Sequence, residues 1–431
     1  MDALPALSFT PAVGDHAFTP QQRTLLALAH ELGRTRFAPR AAQWDEQASF
    51  PFPNYDDLRD AGLLALCVPQ AHGGGGADYA TYMMVAAEIG RFCGATALTW
   101  NMHICSTMWT GVLADGIAMS EQQRSEHLSR RQLHFRRVVD EGAIYAQPFS
   151  EGSAAAAGRA PFGTTAKKVE GGWRVNGRKI FASLSGAADY YGILCTEDKG
   201  DEKPDARDTL YLAVPATSAG FSISGDWNPL GMRGTVSRNL AFQDVLVSDD
   251  EQLMPRGIYH QGAQTWPAMF FTLAPTYLGL ANAAYDFTVA YLRGEINEAT
   301  GAPTGPDDRR TVRRMYPTKQ IAVAQMRIQL ENLRSIFLRA VVEARPHPSR
   351  DERMRLYAAQ YTVMEGANDI ARLAIRTCGG QSMMKHLPLE RIYRDSRCGS
   401  LMLPWTAELV LDRMGRETLY EPGERDSPPP G

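Results

Sequence analysis

The 431-residue sequence predicts an α+β fold with an N-terminal α-helical domain, a middle antiparallel β-barrel domain and a C-terminal four-helix bundle. Apolar residues recur with the period of an amphipathic helix in the first and last thirds, and alternate as in a strand in the middle third. Strands in consecutive hairpins are typical of a barrel or sandwich, and long antiparallel helices are typical of a bundle. The predicted segments are an N-terminal extension (1–18), the N-terminal domain (19–142), the β-domain (143–252), the C-terminal bundle (253–417) and a disordered tail (418–431).

Composition excludes several classes of protein. The 45 Lys and Arg nearly balance the 48 Asp and Glu, so the chain lacks the strongly basic surface expected of a nucleic-acid-binding protein. No apolar run is long enough for a membrane helix, and the N-terminus lacks the pattern of a secretory signal. The six cysteines contain no C-x-x-C pair and indicate reduced thiols, without a metal site. We therefore expect a cytoplasmic enzyme that acts on a small molecule.

The N-terminal domain begins with a helix-start signal. Thr19 suits the N-cap, Pro20 the first helical position and Gln22 the capping box. Further helices are predicted at about 54–65, 77–92 and 98–114. The glycines at 73–76 suggest a phosphate cradle, but no Gly-Lys-Ser/Thr follows, which favours a plain loop.

Turn and periodicity signals predict the next two domains. In the β-domain, Asn176-Gly177 predicts a hairpin with a type I′ turn, and 209–215 and 238–247 read as strands. In the C-terminal domain, one helix carries apolar residues at Met326, Leu330, Leu333, Phe337 and Ala340, and the next at Val363, Ala367, Ile370, Ala371 and Ala374. Gly379-Gly380 should end the second of these helices.

Six motifs follow one another along the predicted elements: VPQAHGG (68–74), YAQPFSEGS (145–153), GRKIFAS (177–183), LGMRGT (230–235), CGG (378–380) and PLERIYRD (388–395). In this order and spacing the chain resembles the acyl-CoA dehydrogenase superfamily of flavoproteins, from about residue 19 to 415. The resemblance implies FAD between the β-domain and the second bundle, shared across a homodimer or homotetramer interface. It also implies oxidation of the CH–CH group of a CoA or carrier thioester by hydride transfer to flavin N5, with an electron-transfer partner or O₂ as oxidant.

The resemblance assigns cofactor contacts in the β-domain. Ala146 and Gln147 match positions at the pyrimidine edge of the flavin, and Gly152 and Ser153 match the loop beside it. Phe181 matches an aromatic position against the isoalloxazine, and Ser183 matches a hydroxyl that meets N5. A planar hydride acceptor suits one aromatic face and a donor at N5. The alternative is that Phe181 is a strand-core residue and Ser183 a surface hydroxyl.

Further contacts are implied in the C-terminal domain. Gln320 matches a glutamine that reaches the FAD of a neighbouring subunit, and Arg376 replaces a more usual glutamine. The other matching positions are Arg293, Gly379, Gly380, Thr406 and Glu408. The stretch between Arg293 and Gln320 is longer than in the family and contains Arg309, Arg310, Arg313 and Arg314. This cluster is either a pyrophosphate-binding group or part of a solvated loop.

The usual catalytic base of the family is missing. Alignment on Thr406 places Pro404 at its position, and the alternative stretch 266–272 contains no carboxylate. Three side chains are candidate substitutes: Glu151 in the flavin loop, Glu408 past Thr406, and His103 on a pocket helix. Each also has a non-catalytic interpretation. Glu151 would be an exposed acid in a loop, Glu408 a salt-bridge or cofactor contact, and His103 a core histidine whose nitrogens are hydrogen-bonded.

The missing base leaves three functions open. The first is an acyl-CoA dehydrogenase with a non-standard base, for which His103 and Glu151 are the catalytic candidates. The second is a flavin monooxygenase on the same scaffold, which needs no base for an α-proton and could use His103 as acid or base. The third is a catalytically silent flavin-binding subunit. Aromatic and Met residues of the expected pocket suit a bulky substrate, and equally suit a core: Trp100, Met108, Trp109, Phe270, Phe271 and Trp405.

Overall fold

The computed structural model describes residues 6–152, 161–402, 406–421 and 424. An N-terminal helical domain, a central sheet and a C-terminal helical domain follow one another, which confirms the predicted fold class. The N-terminal helices are α1 (Pro20–Leu32), α2 (Ala38–Gln47), α3 (Phe52–Asp60), α4 (Tyr79–Phe92), α5 (Gly94–Met108) and α6 (Glu121–Val139). None of the helices in the described part of the chain is both long and apolar enough to cross a membrane.

Local signals and close packing define the N-terminal domain. The predicted capping box is present, because Gln22 N donates to Thr19 Oγ1 and Thr19 N donates to Gln22 Oε1. Helix α6, which the sequence did not predict, begins with a similar box at Ser120. Helices α4 and α5 are buried along most of their length. The interface of α4 with the C-terminal domain depends on Gly90, because a Cβ atom there would lie 2.8 Å from the Thr276 carbonyl oxygen.

In the residues that the structure describes, the β-domain is one sheet of eight strands. The strands are β1 (Tyr145–Ala146), β2 (Thr165–Val169), β3 (Gly172–Ala182), β4 (Tyr190–Glu197), β5 (Thr209–Pro215), β6 (Phe221–Ser224), β7 (Arg238–Ser248) and β8 (Gln252–Met254). Their order is β6-β7-β3-β2-β4-β5-β8, with β1 beside β4. The sheet is mixed, in contrast to the predicted antiparallel one, because β1 and β2 both pair with β4 in parallel.

The predicted hairpin at Asn176-Gly177 is wrong. Strand β3 runs straight through this dipeptide, and the turn between β2 and β3 lies earlier, at Gly171. A register shift opposite β7 falls between Val175 and Gly177, and Asn176 Oδ1 accepts a hydrogen bond from Asp244 N. The dipeptide therefore forms a β-bulge, for which the backbone freedom of its glycine is also suited.

The C-terminal domain consists of α7 (Ile258–Thr265), α8 (Ala274–Leu292), α9 (Pro317–Val342), α10 (Arg350–Cys378), α11 (Leu389–Arg397) and α12 (Ala407–Leu419). Helix α10 packs against α8, α9, α11 and α12. The apolar positions predicted on α9 and α10 are all buried, which confirms both periodicities. Helix α10 ends at Cys378, where Gly379 adopts a φ of 87°.

Candidate functional site

A cavity of about 450 Å³ lies where the three domains meet. Helix α5 forms one wall, the β-domain a second, and α7, α11 and the segment between α7 and α8 the remainder. Most lining side chains are aromatic or aliphatic, among them Trp109, Phe149, Tyr259 and Phe270. Sites for organic ligands and cofactors combine such apolar walls with a few polar groups.

Phe181 stands in this cavity at the end of β3. Its side chain is 67% exposed, and its backbone has a φ of 51°, in the left-handed region that non-glycine residues rarely adopt. A register shift between β3 and β7 ends at Ala182 and turns the strand there. The Phe181 ring meets Trp227 edge to face, with centroids 6.3 Å apart. An exposed aromatic held by strained backbone fits the predicted flavin contact and not a strand-core residue.

Hydroxyl groups form the polar wall beside Phe181. Ser183, Thr235 and Ser237 line the cavity, and their side-chain oxygens form a continuous hydrogen-bonded chain. Gln147 also lines the cavity and donates through Nε2 to the Tyr211 hydroxyl, 3.2 Å away. The structure thus brings together the predicted contacts Gln147, Phe181 and Ser183.

The other predicted contacts of the β-domain are less direct. Ala146 is fully buried in β1, paired with Tyr191, so only its backbone is available. Gly152 has open space where a Cβ atom would stand, and Ser153 lies outside the described residues. Thr235, Ser237 and Trp227 were missed as site residues, although Thr235 ends the LGMRGT motif.

Glu151 lies in a buried ion pair, which favours a structural role over the predicted catalytic one. Its side chain is 5% exposed, and its Oε1 lies 2.6 Å from the Nζ of Lys179, which is fully buried. The backbone amides of Gly163 and Thr164 donate to Glu151 at 2.7 and 3.0 Å. Burial raises the pKa of this carboxyl, but the Lys179 ammonium and the Thr164 hydrogen bonds outweigh it and hold the pKa below its usual value. A carboxylate held in this way is a poor proton acceptor.

His103 likewise does not fit the predicted catalytic role. It is fully buried and does not line the cavity, although Asn101 and Met102 beside it do. Nδ1 accepts from the backbone amide of Tyr145 at 3.0 Å, so Nε2 carries the hydrogen and donates to the Leu64 carbonyl at 2.9 Å. Burial lowers the pKa of His103 to about 4. The ring joins α5 to β1 as a neutral core histidine.

No carboxylate or imidazole lines the cavity within the described ranges. Arg397 is the charged side chain there, and its Nη1 donates to Glu365 at 3.1 Å and to Ser400 Oγ at 2.9 Å. Pro404, at the usual base position, and Trp405 lie outside the described residues. The undescribed stretches 153–160 and 403–405 contain no Asp, Glu or His in their sequence.

The contacts predicted in the C-terminal domain lie outside the cavity. Arg293 pairs with Glu295 at 3.3 Å, and Gln320 donates to the Arg314 carbonyl at 3.0 Å. The remaining predicted positions lie on or near the surface: Arg376 is exposed near the end of α10, Gly379 and Gly380 follow that helix, Thr406 caps α12, and Glu408 is exposed in its first turn.

Two of the four arginines ahead of Gln320 have partners within the protein. Arg309 pairs with Glu295 at 3.4 Å, and Arg313 pairs with Glu298 and stacks over Tyr291 at 4.7 Å. These contacts favour the surface-loop interpretation of the cluster over a preformed pyrophosphate site.

A sheet between two helical domains, with an aromatic and hydroxyl-lined cavity at their junction, is typical of an enzyme that holds a planar organic cofactor. The chain belongs to the acyl-CoA dehydrogenase family. The models of its N-terminal, middle and C-terminal domains match residues 19–130, 149–245 and 271–403. The enzyme is therefore a flavin-dependent oxidoreductase.

Known proteins are similar over nearly the full chain. The putative acyl-CoA dehydrogenase YdbM of Bacillus subtilis (strain 168) is 29% identical over 391 residues, covering 88% of this chain and 93% of that protein. The structure of KijD3 with FMN and dTDP-3-amino-2,3,6-trideoxy-4-keto-3-methyl-D-glucose has a TM-score of 0.78 at 24% identity, covering 97% and 98% of the two chains. FMN-bound TdsC from Paenibacillus sp. A11-2 has a TM-score of 0.76 at 20% identity, covering 92% and 97%. Both structures share the fold.

The residues present fit a flavin ring. Phe181 projects into the cavity with most of its surface uncovered, which leaves an aromatic face for a planar partner. Gln147 and the hydroxyls of Ser183 and Ser237 provide polar contacts on one side, and apolar walls surround the remainder. Phe181, Ser183 and Gln147 are the residues that would hold the ring.

Proposed function

We propose that this protein is a flavin-dependent monooxygenase built on the acyl-CoA dehydrogenase fold. The observation that carries the proposal is the absence of a carboxylate or imidazole from the cavity lining among the described residues. Dehydrogenation of an acyl thioester requires removal of an α-proton, and loss of a general base typically costs about 10²–10⁴-fold in rate. Monooxygenation does not include that step.

The lining residues suit a small, mainly apolar substrate. When bound, reduced flavin supplies the two electrons with which dioxygen places one oxygen atom in the substrate and the other in water. Trp109, Phe149 and Phe270 would pack against a ring-shaped substrate and exclude water from it. TdsC, one of the similar structures, is described as a dibenzothiophene monooxygenase.

Acyl-thioester dehydrogenation is the second candidate, because YdbM, which is similar over 88% of this chain, is named a putative acyl-CoA dehydrogenase. For this activity the chain would need a base from outside the described lining. Either function needs a redox partner, an electron donor in the first case and an electron acceptor in the second.

The two halves of the predicted FAD site suggest how the cofactor is held. The ring contacts lie in the cavity, whereas Arg293, Gln320 and Arg376 lie on the surface of the C-terminal domain. We propose that FAD is shared between the subunits of a homodimer or homotetramer, so that the surface residues of one copy complete the site of another. FMN, which the two similar structures contain, lacks the adenylate that these surface residues would contact.

The test compares two reactions of one flavin-loaded preparation. Anaerobic mixing with a panel of straight-chain, branched and aromatic acyl-CoA thioesters should leave the visible absorbance of oxidised flavin unchanged. After reduction by an external flavin reductase, addition of ¹⁸O₂ and a panel of small aromatic compounds, indole included, should give a product that contains one ¹⁸O atom. Loss of flavin absorbance with any thioester would instead establish the dehydrogenase. The absence of both responses would indicate a silent flavin-binding subunit.

A further inference from the structure

Three hydroxyl groups form a chain in the wall of the cavity. Thr235 Oγ1 lies 2.8 Å from the carbonyl oxygen of Met232, and Ser237 Oγ lies 2.7 Å from Thr235 Oγ1 and 2.8 Å from Ser183 Oγ. All three hydroxyl side chains line the cavity. Thr235 and Ser237 are 1% and 7% exposed, so the chain leads from a buried carbonyl to the more accessible Ser183.

The buried end fixes the direction of every hydrogen bond in this chain. A hydroxyl has one hydrogen to donate, and a carbonyl oxygen only accepts. Thr235 therefore donates to Met232 and has no hydrogen left for Ser237, so Ser237 donates to Thr235. By the same step Ser183 donates to Ser237. Ser183 then presents lone pairs, and no hydrogen, to the cavity.

We infer that this direction makes Ser183 a hydrogen-bond acceptor for the flavin, so that the site favours reduced flavin over oxidised flavin. Reduction adds two electrons to the ring and a hydrogen at N5, and that N–H can donate to Ser183. In oxidised flavin, N5 is itself an acceptor and would face a lone pair. The inference rests on the proposed function and on the predicted position of Ser183 opposite N5.

This preference suits the proposed reaction. An enzyme that waits for dioxygen holds its flavin reduced, and an acceptor at N5 stabilises that state. A dehydrogenase starts from oxidised flavin and gains from a donor at the same atom. Thr235 and Ser237 are therefore positioning residues that act through Ser183.

The test is Ser237→Ala, which removes the acceptor of the Ser183 hydrogen and lets that hydroxyl turn towards N5. The dissociation constants of oxidised FAD and of dithionite-reduced FAD are measured anaerobically for wild type and each variant. The quantity compared is the dissociation constant of oxidised FAD divided by that of reduced FAD. The ratio should fall about fivefold, because the gain and loss of single hydrogen bonds are modest. For a two-electron couple this corresponds to a midpoint potential more negative by about 20 mV.

Three further variants complete the design. Thr235→Val removes the acceptor of the Ser237 hydrogen, so Ser237 can donate to Ser183 and leave the Ser183 hydrogen for N5, and the ratio should fall in the same direction. Ser237→Thr keeps a hydroxyl and should leave the ratio unchanged. Ser185→Ala is the matched control, because this buried hydroxyl donates to the Ala182 carbonyl at 2.7 Å and does not line the cavity.

The outcomes separate this inference from the proposed function. An unchanged or increased ratio in Ser237→Ala, with FAD still bound, overturns the inference and leaves the monooxygenase proposal standing. Failure of the wild-type protein to bind either form of FAD refutes the flavin site itself. Thermal unfolding of each variant, measured without FAD, establishes that the protein compared is folded.

Discussion

Removal of Lys179 should destabilise the protein strongly, and simultaneous neutralisation of Glu151 should reverse most of that loss. The Lys179 ammonium lies 2.6 Å from Glu151 Oε1 and donates to the Leu194 carbonyl, also at 2.6 Å. The lysine is fully buried and the glutamate 5% exposed. Lys179→Met therefore leaves a buried carboxylate without its cation.

The expected magnitude follows from this burial. Breaking a buried ion pair by removing one partner costs about 3–5 kcal/mol, whereas replacement of both charges is often nearly neutral. In Glu151→Gln the single remaining oxygen can accept from the amide of Gly163 or of Thr164 but not from both, since the carboxylate accepts these two through different oxygens, and Lys179 loses its counter-ion. The double variant Lys179→Met/Glu151→Gln removes both charges. We expect it to lie within about 1–2 kcal/mol of wild type.

The assay is a double-mutant cycle of unfolding free energies, with turnover measured on the same preparations. If Glu151 is structural, the double variant regains both stability and turnover. If Glu151 is the catalytic base, the double variant regains stability but stays inactive. A Lys179→Met protein as stable as wild type would refute the buried-pair reasoning. Because the pKa of Glu151 is lowered by folding, its stabilising contribution is present above the usual carboxyl pKa and is lost as the pH falls through the depressed value.

Three further predictions concern single side chains. Phe181→Ala should weaken flavin binding roughly 10- to 100-fold, since a covered Phe contributes about 1.5–3 kcal/mol, whereas Leu246→Ala, a half-exposed control outside the cavity, should not change it. His103→Gln should lower the melting temperature, because two buried backbone groups lose their fitted partner, yet keep turnover per folded molecule within about threefold. Burial raises the pKa of Asp395 to about 6, so its stabilising contribution is present below about pH 4 and lost as the pH rises towards 6. Asp395→Asn should therefore raise the unfolding free energy at pH 7.5 by at most about 3 kcal/mol and have little effect at pH 4. A variant equally stabilised at both pH values would contradict this assignment.

The elements that the sequence predicted well depend on residues close together in the chain. The Thr19–Gln22 capping box spans three residues, and the apolar positions of α9 repeat every three or four residues. Such signals act within one or two helical turns, so they can be read without knowledge of the tertiary structure. The change of hydrophobic period along the chain also predicted the order of the three domains, and the resemblance added the expected cofactor contacts.

The predictions that the structure does not support depend instead on residues far apart in the chain. Asn176-Gly177 is a strong turn signal, but the pairing of β3 with both β2 and β7 continues the strand through it. The partner of Glu151 lies 28 residues away at Lys179, and His103 is bonded to groups 39 and 42 residues away. Whether an acid or a histidine faces a pocket or a core depends on such distant partners, which no local pattern reveals.

The strained backbone shows where this fold is held to one geometry. Phe181, Leu184, Met232 and Val236 all have φ between 46° and 65°, and each such residue costs about 1–3 kcal/mol. The two segments that contain them are joined by hydrogen bonds from Leu184 N to Thr235 O at 3.0 Å and from Ser185 N to Val236 O at 3.1 Å. Together they hold the Phe181 ring in the cavity and place Ser183 within reach of Ser237. The strain is thus concentrated at the aromatic and hydroxyl wall that we expect to contact the flavin ring, and no carboxylate or imidazole lines this cavity among the described residues.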